Sequence, residues 1–259
     1  MDDSTLAILA LVGLVAGFVD AIAGGGGLAT VPSLRLAGLD PVGVVATNKL
    51  CGTFGAFAAT FAFWRARRIR WGAMGPTAAL ALAGSVAGAL ALPYAPSELL
   101  IGAMPLLLIA VALYFAFAPT FAHVSAGPSH PWAVLAGGAL IGFYDGVFGP
   151  GAGSFYMLLL LKFGRFGLLD ALAGARLANF GSNFGSLVIY ALGGHILIKA
   201  GLAMGLGNFL GGWLGAHTAL KAGAKIVRPL VVVMALALAA KLMMRTDALW
   251  WEWLGWGAG

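Results

Sequence analysis

The sequence predicts an all-α polytopic membrane protein made of two homologous four-segment repeats, each opening with a glycine-broken helix. Three observations carry that expectation. Hydrophobic residues make up 61% of the chain and charged residues only 9%, where a soluble domain carries about 25% charged residues. The apolar residues gather into eight regions, most of them close to the roughly 20 residues that a spanning helix needs. Finally, one costly stretch, a helix broken by glycines with an aspartate just before the break, occurs twice at a spacing of 125 residues.

Taken in order, the first region (about 5–38) holds Gly17-Phe-Val-Asp20-Ala-Ile-Ala followed by Gly24, Gly25, Gly26 and Gly27, then Leu-Ala-Thr30. Glycine costs about 1 kcal/mol against alanine in a helix interior, and an aspartate at bilayer depth costs roughly 2.5–3.5 kcal/mol. Asp40-Pro41 opens the second region (41–64), which the basic run Arg65–Arg70 closes; the third (71–93) ends at Pro93-Tyr-Ala-Pro96. The fourth (97–118) runs out before Gly127-Pro-Ser-His-Pro131. The fifth (131–161) repeats the opening: Gly142-Phe-Tyr-Asp145-Gly-Val-Phe-Gly149-Pro-Gly151-Ala-Gly153-Ser154. Regions at 167–193, 196–220 and 223–244 follow, and Trp250-Trp-Glu-Trp253-Leu-Gly-Trp256 reads as an interfacial aromatic tail over 246–259. The whole of 1–245 is thus one transmembrane domain, with repeats at about 4–118 and 131–245. Thr47-Asn48-Lys49 through Gly55 finds its counterpart in Arg176 through Gly185, Gly84 and Gly88 in Gly211 and Gly215, and Pro105 in Pro229.

Such repeats are either parallel or inverted. If each opening region crosses once, a repeat has four crossings and the copies are parallel; if it folds back as a re-entrant hairpin, three crossings invert them. With Arg65–Arg70 cytoplasmic, inversion puts nine basic residues inside (Arg65, Arg67, Arg68, Arg70, Lys162, Arg165, Lys221, Lys225, Arg228) and four outside (Arg35, Lys199, Lys241, Arg245). The parallel arrangement splits them seven to six. Basic residues concentrate in cytoplasmic loops, which favours inversion.

Duplicated halves with glycine-interrupted segments at matching positions point to a transporter's binding site. A broken helix frees backbone N–H groups, and the helix that restarts offers its positive end to an anion. Gly24–Gly27 with Thr30, and Gly149, Gly151 and Gly153 with Ser154, are therefore expected to line a substrate site. Lys49 and Arg176 each lie well inside an apolar segment, where cations mark substrate or ion pathways; a salt bridge to Asp20 or Asp145 is the competing role. Those aspartates are expected to act as counter-ions or proton carriers. Asn48, Asn179, Ser182 and Asn183 add amide and hydroxyl groups, with polar glue between helices as the alternative. Gly84, Gly88, Gly207, Gly211 and Gly215, spaced by four, read as packing positions.

The net charge of +6 is accounted for by short connections and calls for no nucleic acid. The single Cys51 excludes a disulfide framework, the four histidines have no metal spacing, and no Gly-Lys-Ser/Thr follows the glycines as a nucleotide loop requires. Neither an enzyme, a cofactor nor a metal is expected. Met1–Thr5 is acidic, unlike the basic start of a cleavable signal.

With Gly17–Leu28, Thr47-Asn48-Lys49, Phe63-Trp64-Arg65, Gly142–Gly146 and Asn179-Phe-Gly-Ser182-Asn183, the chain resembles the sulfite/organosulfonate exporter family TauE/SafE, also called the toluenesulfonate uptake permeases. The resemblance spans about 5–244. It implies a multi-pass carrier of the bacterial cytoplasmic membrane that moves sulfite, sulfonates or other small anions by alternating access, with proton or ion coupling and a homodimer both left open. A lysine is common near the second-half asparagines of that family; Arg176 is the nearest cation here. An anion-selective channel, a carrier of small carboxylates and a non-transporting scaffold are the rival readings.

Overall fold

A computed structural model of the chain describes residues 1–94 and 129–223. The region at 97–118, nearly all of that at 223–244, the tail, and Pro105 and Pro229 lie outside the described residues. Those described form α1 (Asp3–Ala23), α2 (Gly27–Leu36), α3 (Pro41–Arg65), α4 (Trp71–Ala91) with a 3-10 turn at Leu92–Tyr94, α5 (Pro131–Val147), α6 (Ala152–Lys162), α7 (Leu168–Leu192) and α8 (Ile198–Ala222). All-helical structure answers the sequence expectation. Among the described residues α1, α3 and Trp71–Tyr94 are long and apolar enough to cross a membrane. The helices α7 and α8 match α3 in length at 25 residues, but asparagine, glycine and charge dilute their apolarity.

The punctuation works as chemistry dictates. Pro41 sits at the first turn of α3, where no intrahelical donor is lost, and the Asp40 carboxylate accepts the Gly43 N–H at 3.1 Å. Gly24 ends α1 in the left-handed region at φ 87°, its N–H bonded to the Asp20 carbonyl at 2.8 Å. Gly149 and Gly151 take φ 102° and 84° between α5 and α6. A residue with a Cβ adopts that conformation at a cost of roughly 1–2 kcal/mol.

Both opening regions fold back on themselves. The His130 N–H before α5 donates to the Phe163 carbonyl after α6 at 2.9 Å, which closes that pair as a hairpin. Leu9 of α1 shares one apolar cluster with Val31 and Leu34 of α2, Leu39, and Val44 at the start of α3. The chain thus enters α3 from the side on which α1 began.

Glycine ridges set the helix directions. A Cβ at Gly207, Gly211 or Gly215 would fall 2.0, 2.0 and 2.3 Å from the carbonyl oxygens of Ala10, Leu14 and Phe18, so α8 lies parallel against α1 at backbone contact. Gly84 and Gly88 meet Ala139 and Phe143 in the same ascending order, which makes α4 parallel to α5. Small residues at such positions let backbones approach and gain dispersion contacts where lipid removes the usual hydrophobic drive. By the same test α3 runs with α8 and α7 with α4. Against this, Gly52 faces Asn183, Phe57 stacks near Phe180, and Val45 clusters with Tyr190, so α3 and α7 are antiparallel. Taken in order, α1, α3 and α4 therefore run opposite to α5, α7 and α8 respectively.

Counted from the helix starts, the two cations hold matching places. Lys49 and Arg176 are each the ninth residue of a 25-residue helix. Asn48 then stands opposite Ala175, and Asn179 opposite Gly52. Gly84 and Gly88 keep Gly211 and Gly215 as counterparts.

Candidate functional site

The two breaks meet in the interior. A Cβ at Gly24 would come within 2.3 Å of the Ser154 nitrogen, and one at Gly27 within 3.0 Å of Pro150 Cα. The Ser154 hydroxyl donates to the Ala23 carbonyl, which the helix end leaves without an intrahelical partner. Between the breaks lies a small cavity of about 30 Å³, room for one or two waters where one needs about 10–15 Å³. Gly24, Gly26, Gly27, Thr30, Asn48, Gly149, Gly151, Gly153, Asn179 and Asn183 line it, with both Asp20 and Asp145 in the wall. Gly25 is buried in the first break without lining the cavity.

Lys49 and Arg176, both fully buried, stand behind the carboxylates in crossed ion pairs. Lys49 Nζ meets Asp145 Oδ1 at 2.7 Å, with side-chain exposures of 0% and 2%. Arg176 Nη1 meets Asp20 Oδ2 at 2.7 Å and also donates to the Asp20 carbonyl at 2.7 Å; here the exposures are 0% and 17%. The cation of each half is therefore held by the aspartate of the other half's break. A buried charge pair must satisfy its remaining hydrogen-bonding positions to repay desolvation. Asp145 does so with the Ser182 hydroxyl on its second oxygen. Asp20 does so with the Gly26 N–H, 3.0 Å from Oδ1, so its carboxylate occupies the N-terminus of α2.

The remaining polar groups are tied in pairs. Thr30 Oγ1 donates to Asn48 Oδ1 at 2.5 Å. Asn183 Nδ2 donates to the carbonyl of Asn179 at 2.7 Å and to its side-chain oxygen at 3.0 Å, the i, i+4 contact their spacing allows. Tyr144 and Tyr190 clamp the second break: their hydroxyls donate to the carbonyls of Pro150 and Gly146 at 2.6 and 2.7 Å. Two donors of Arg176, Nε and Nη2, have no hydrogen-bond partner among the described residues.

Sequence reasoning missed Asn208 and Gly52, which also line the cavity. Asn208 Nδ2 donates to the Cys51 carbonyl at 3.0 Å, while Oδ1 is buried without a partner among the described residues. Its signal was present, an amide in mid-helix, but it stood among glycines that read as packing positions. Gly17 and Gly55 leave the slot it fills: a Cβ at either would lie 2.3 or 2.5 Å from Asn208 Oδ1. Among the described residues no cluster of His, Cys, Asp and Glu could hold a metal ion.

A small polar cavity between two broken helices, inside a bundle of apolar helices packed through glycine, is the architecture of a membrane transport protein. The chain belongs to the sulfite exporter TauE/SafE family, whose model matches residues 9–242. It is 42% identical over 252 residues to the "Probable membrane transporter protein ORF9" of Sinorhizobium sp, covering 96% of this chain and 97% of that one. It is 39% identical to the "Probable membrane transporter protein YfcA" of Escherichia coli strain K12, over 92% and 89% of the two chains. A "Probable membrane transporter protein" of Haemophilus influenzae is 38% identical over 92% and 94%. No solved structure matches the chain.

Proposed function

We propose that this transporter carries a small anion, a sulfur oxyanion such as sulfite or an organosulfonate, across the cytoplasmic membrane of a bacterium by alternating access. The observation that carries the reading is the pair of buried cations set directly behind a cavity between two helix breaks. Charge balance then suggests the coupling. Two cations and two carboxylates cancel, so an anion added to this buried site leaves it with an uncompensated charge. A buried charge without a partner costs several kcal/mol. Uptake of a proton by one of the two aspartates restores balance, so anion and proton travel together. The opposed directions of the two halves support alternating access, because inverted halves can exchange conformations. The basic residues gathered at one end, where Arg68 and Arg70 pair with Asp170, mark the cytoplasmic side.

Flux into proteoliposomes, with sulfite, sulfate, simple sulfonates and acetate and with or without a pH gradient, tests this. Sulfite uptake should saturate, accelerate down a proton gradient, and disappear in Lys49→Ala. Uptake that never saturates would make the protein a channel, and equal flux in Lys49→Ala would remove the site.

A further inference from the structure

The two cations differ in what they have left to give. Lys49 is a compact charge whose Nζ donates to Asp145 Oδ1 at 2.7 Å, and the second Asp145 oxygen is taken by Ser182. Arg176 presents one nitrogen, Nη1, to Asp20, and keeps Nε and Nη2, which together form one straight edge of the guanidinium plane. That edge has the geometry for two parallel bonds to two oxygens of one oxyanion. The Nη end of the guanidinium lies against the first turn of α6: a Cβ at Gly153 would stand 2.5 Å from Nη2 and 3.0 Å from Nη1. The 11-residue α6 starts at this turn, where the Ala152 and Ser154 N–H groups donate to the Gly149 and Gly151 carbonyls at 3.0 and 2.9 Å. The corresponding start of α2 is already occupied by the Asp20 carboxylate. Gly151 and Gly153, on the α6 side, line the cavity.

We infer that the substrate's oxyanion docks two oxygens on the Nε–Nη2 edge of Arg176, reaching it past Gly153. This rests on the anion-transport reading and deepens it: the site selects groups with two adjacent oxygens, such as sulfite, sulfonate or carboxylate, over single-acceptor anions. Asp20 holds Nη1 and so aims the edge. Gly153 is the specificity position, because a methyl group there fills the approach to Nη2.

Calorimetric titration of the purified full chain in detergent tests it, using sulfite, methanesulfonate and acetate against chloride and bromide. The wild-type protein should bind the oxyanions at least about tenfold more tightly than the halides, since two charge-assisted bonds replace one. Arg176→Lys keeps the charge and loses the edge; Gly153→Ala keeps the edge and blocks it. Each should weaken sulfite by at least about tenfold and leave halide binding within a factor of about two, a span of only some 0.4 kcal/mol. Sulfite affinity unchanged in both variants would overturn the docking geometry while leaving the transport reading intact. Equal wild-type affinities for oxyanions and halides would do the same, and need no variant to fold. No binding of any anion by the wild type would instead bring down the transport reading, and this inference with it.

Discussion

The two helix breaks are built alike and finished differently. In each, an aspartate stands four residues before the first left-handed glycine, and a cation stands at the ninth position of the next long helix. At the first break Asp20 turns inward, caps α2 through Gly26 and takes Arg176, yet its side chain stays 17% exposed to the cavity. At the second, Asp145 turns to Lys49 and Ser182 and is sealed, its side chain only 2% exposed. Two breaks of one design thus differ in closure, and Arg176 keeps Nε and Nη2 without a hydrogen-bond partner among the described residues. On the proposed reading, that difference is what gives an anion its place to bind.

The sealed pair should be the harder one to break. Lys49→Ala strands Asp145 in a fully buried position, and loss of one partner of such a pair costs about 3–5 kcal/mol. Arg176→Ala strands Asp20, which is partly exposed and keeps the Gly26 N–H, so the loss should sit nearer the roughly 1.5–3 kcal/mol of a hydrogen bond to a charged group. Denaturant unfolding in detergent reads both. Adding Asp145→Asn to Lys49→Ala should recover most of the loss; if the double variant is as unstable as the single one, Asp145 was not the stranded charge. Should Arg176→Ala prove the costlier change, the contrast between a sealed and an open pair is wrong.

The breaks themselves can be compared by adding one methyl group. Gly24 and Gly149 both sit at positive φ, and so does Gly38, where a Cβ would meet nothing within 4 Å. Gly38→Ala therefore measures the backbone cost alone, about 1–2 kcal/mol. At Gly149 the added atom meets the end of the Lys49 side chain at 2.7 Å, which can give way only by loosening its ion pair with Asp145. At Gly24 it meets the backbone nitrogen of Ser154 at 2.3 Å, which cannot, so overpacking adds about 1–3 kcal/mol. The order Gly24→Ala, Gly149→Ala, Gly38→Ala in thermal melting checks that the breaks touch through backbone. A milder effect at Gly24 than at Gly38 would mean they do not.

Much of this was legible in the residues because membrane chemistry makes irregularity expensive. Charge and glycine runs in apolar helices stand out, so the breaks, Lys49, Arg176 and the two aspartates were visible. What pairs with what was not, because helix direction decides it: Lys49 lies 96 residues from Asp145, and Arg176 lies 156 from Asp20. Asn48 and Asn179 look alike in the sequence, but counted from the helix starts at Pro41 and Leu168 they are the eighth and twelfth residues of their helices. Nor could residue types separate the roles of two aspartates in identical local settings. Ser182 made that difference from another helix.

The smallest effect should come from the ion pair outside the core. Arg70 Nη2 lies 2.7 Å from Asp170, as close as Lys49 to Asp145, but its side chain is 65% exposed. Water and salt screen it, the entropy of a long side chain opposes it, and Arg68, 3.5 Å away, stands ready to replace it. Its place over the Phe166 ring, 5.7 Å from the centroid, adds little at such exposure. Arg70→Ala should therefore cost no more than about 0.2–1 kcal/mol, and less in high salt, whereas the cost of Lys49→Ala should hardly change with salt. If both respond to salt alike, water reaches Lys49 in the resting protein. The sealed half-site would then be as open as its partner.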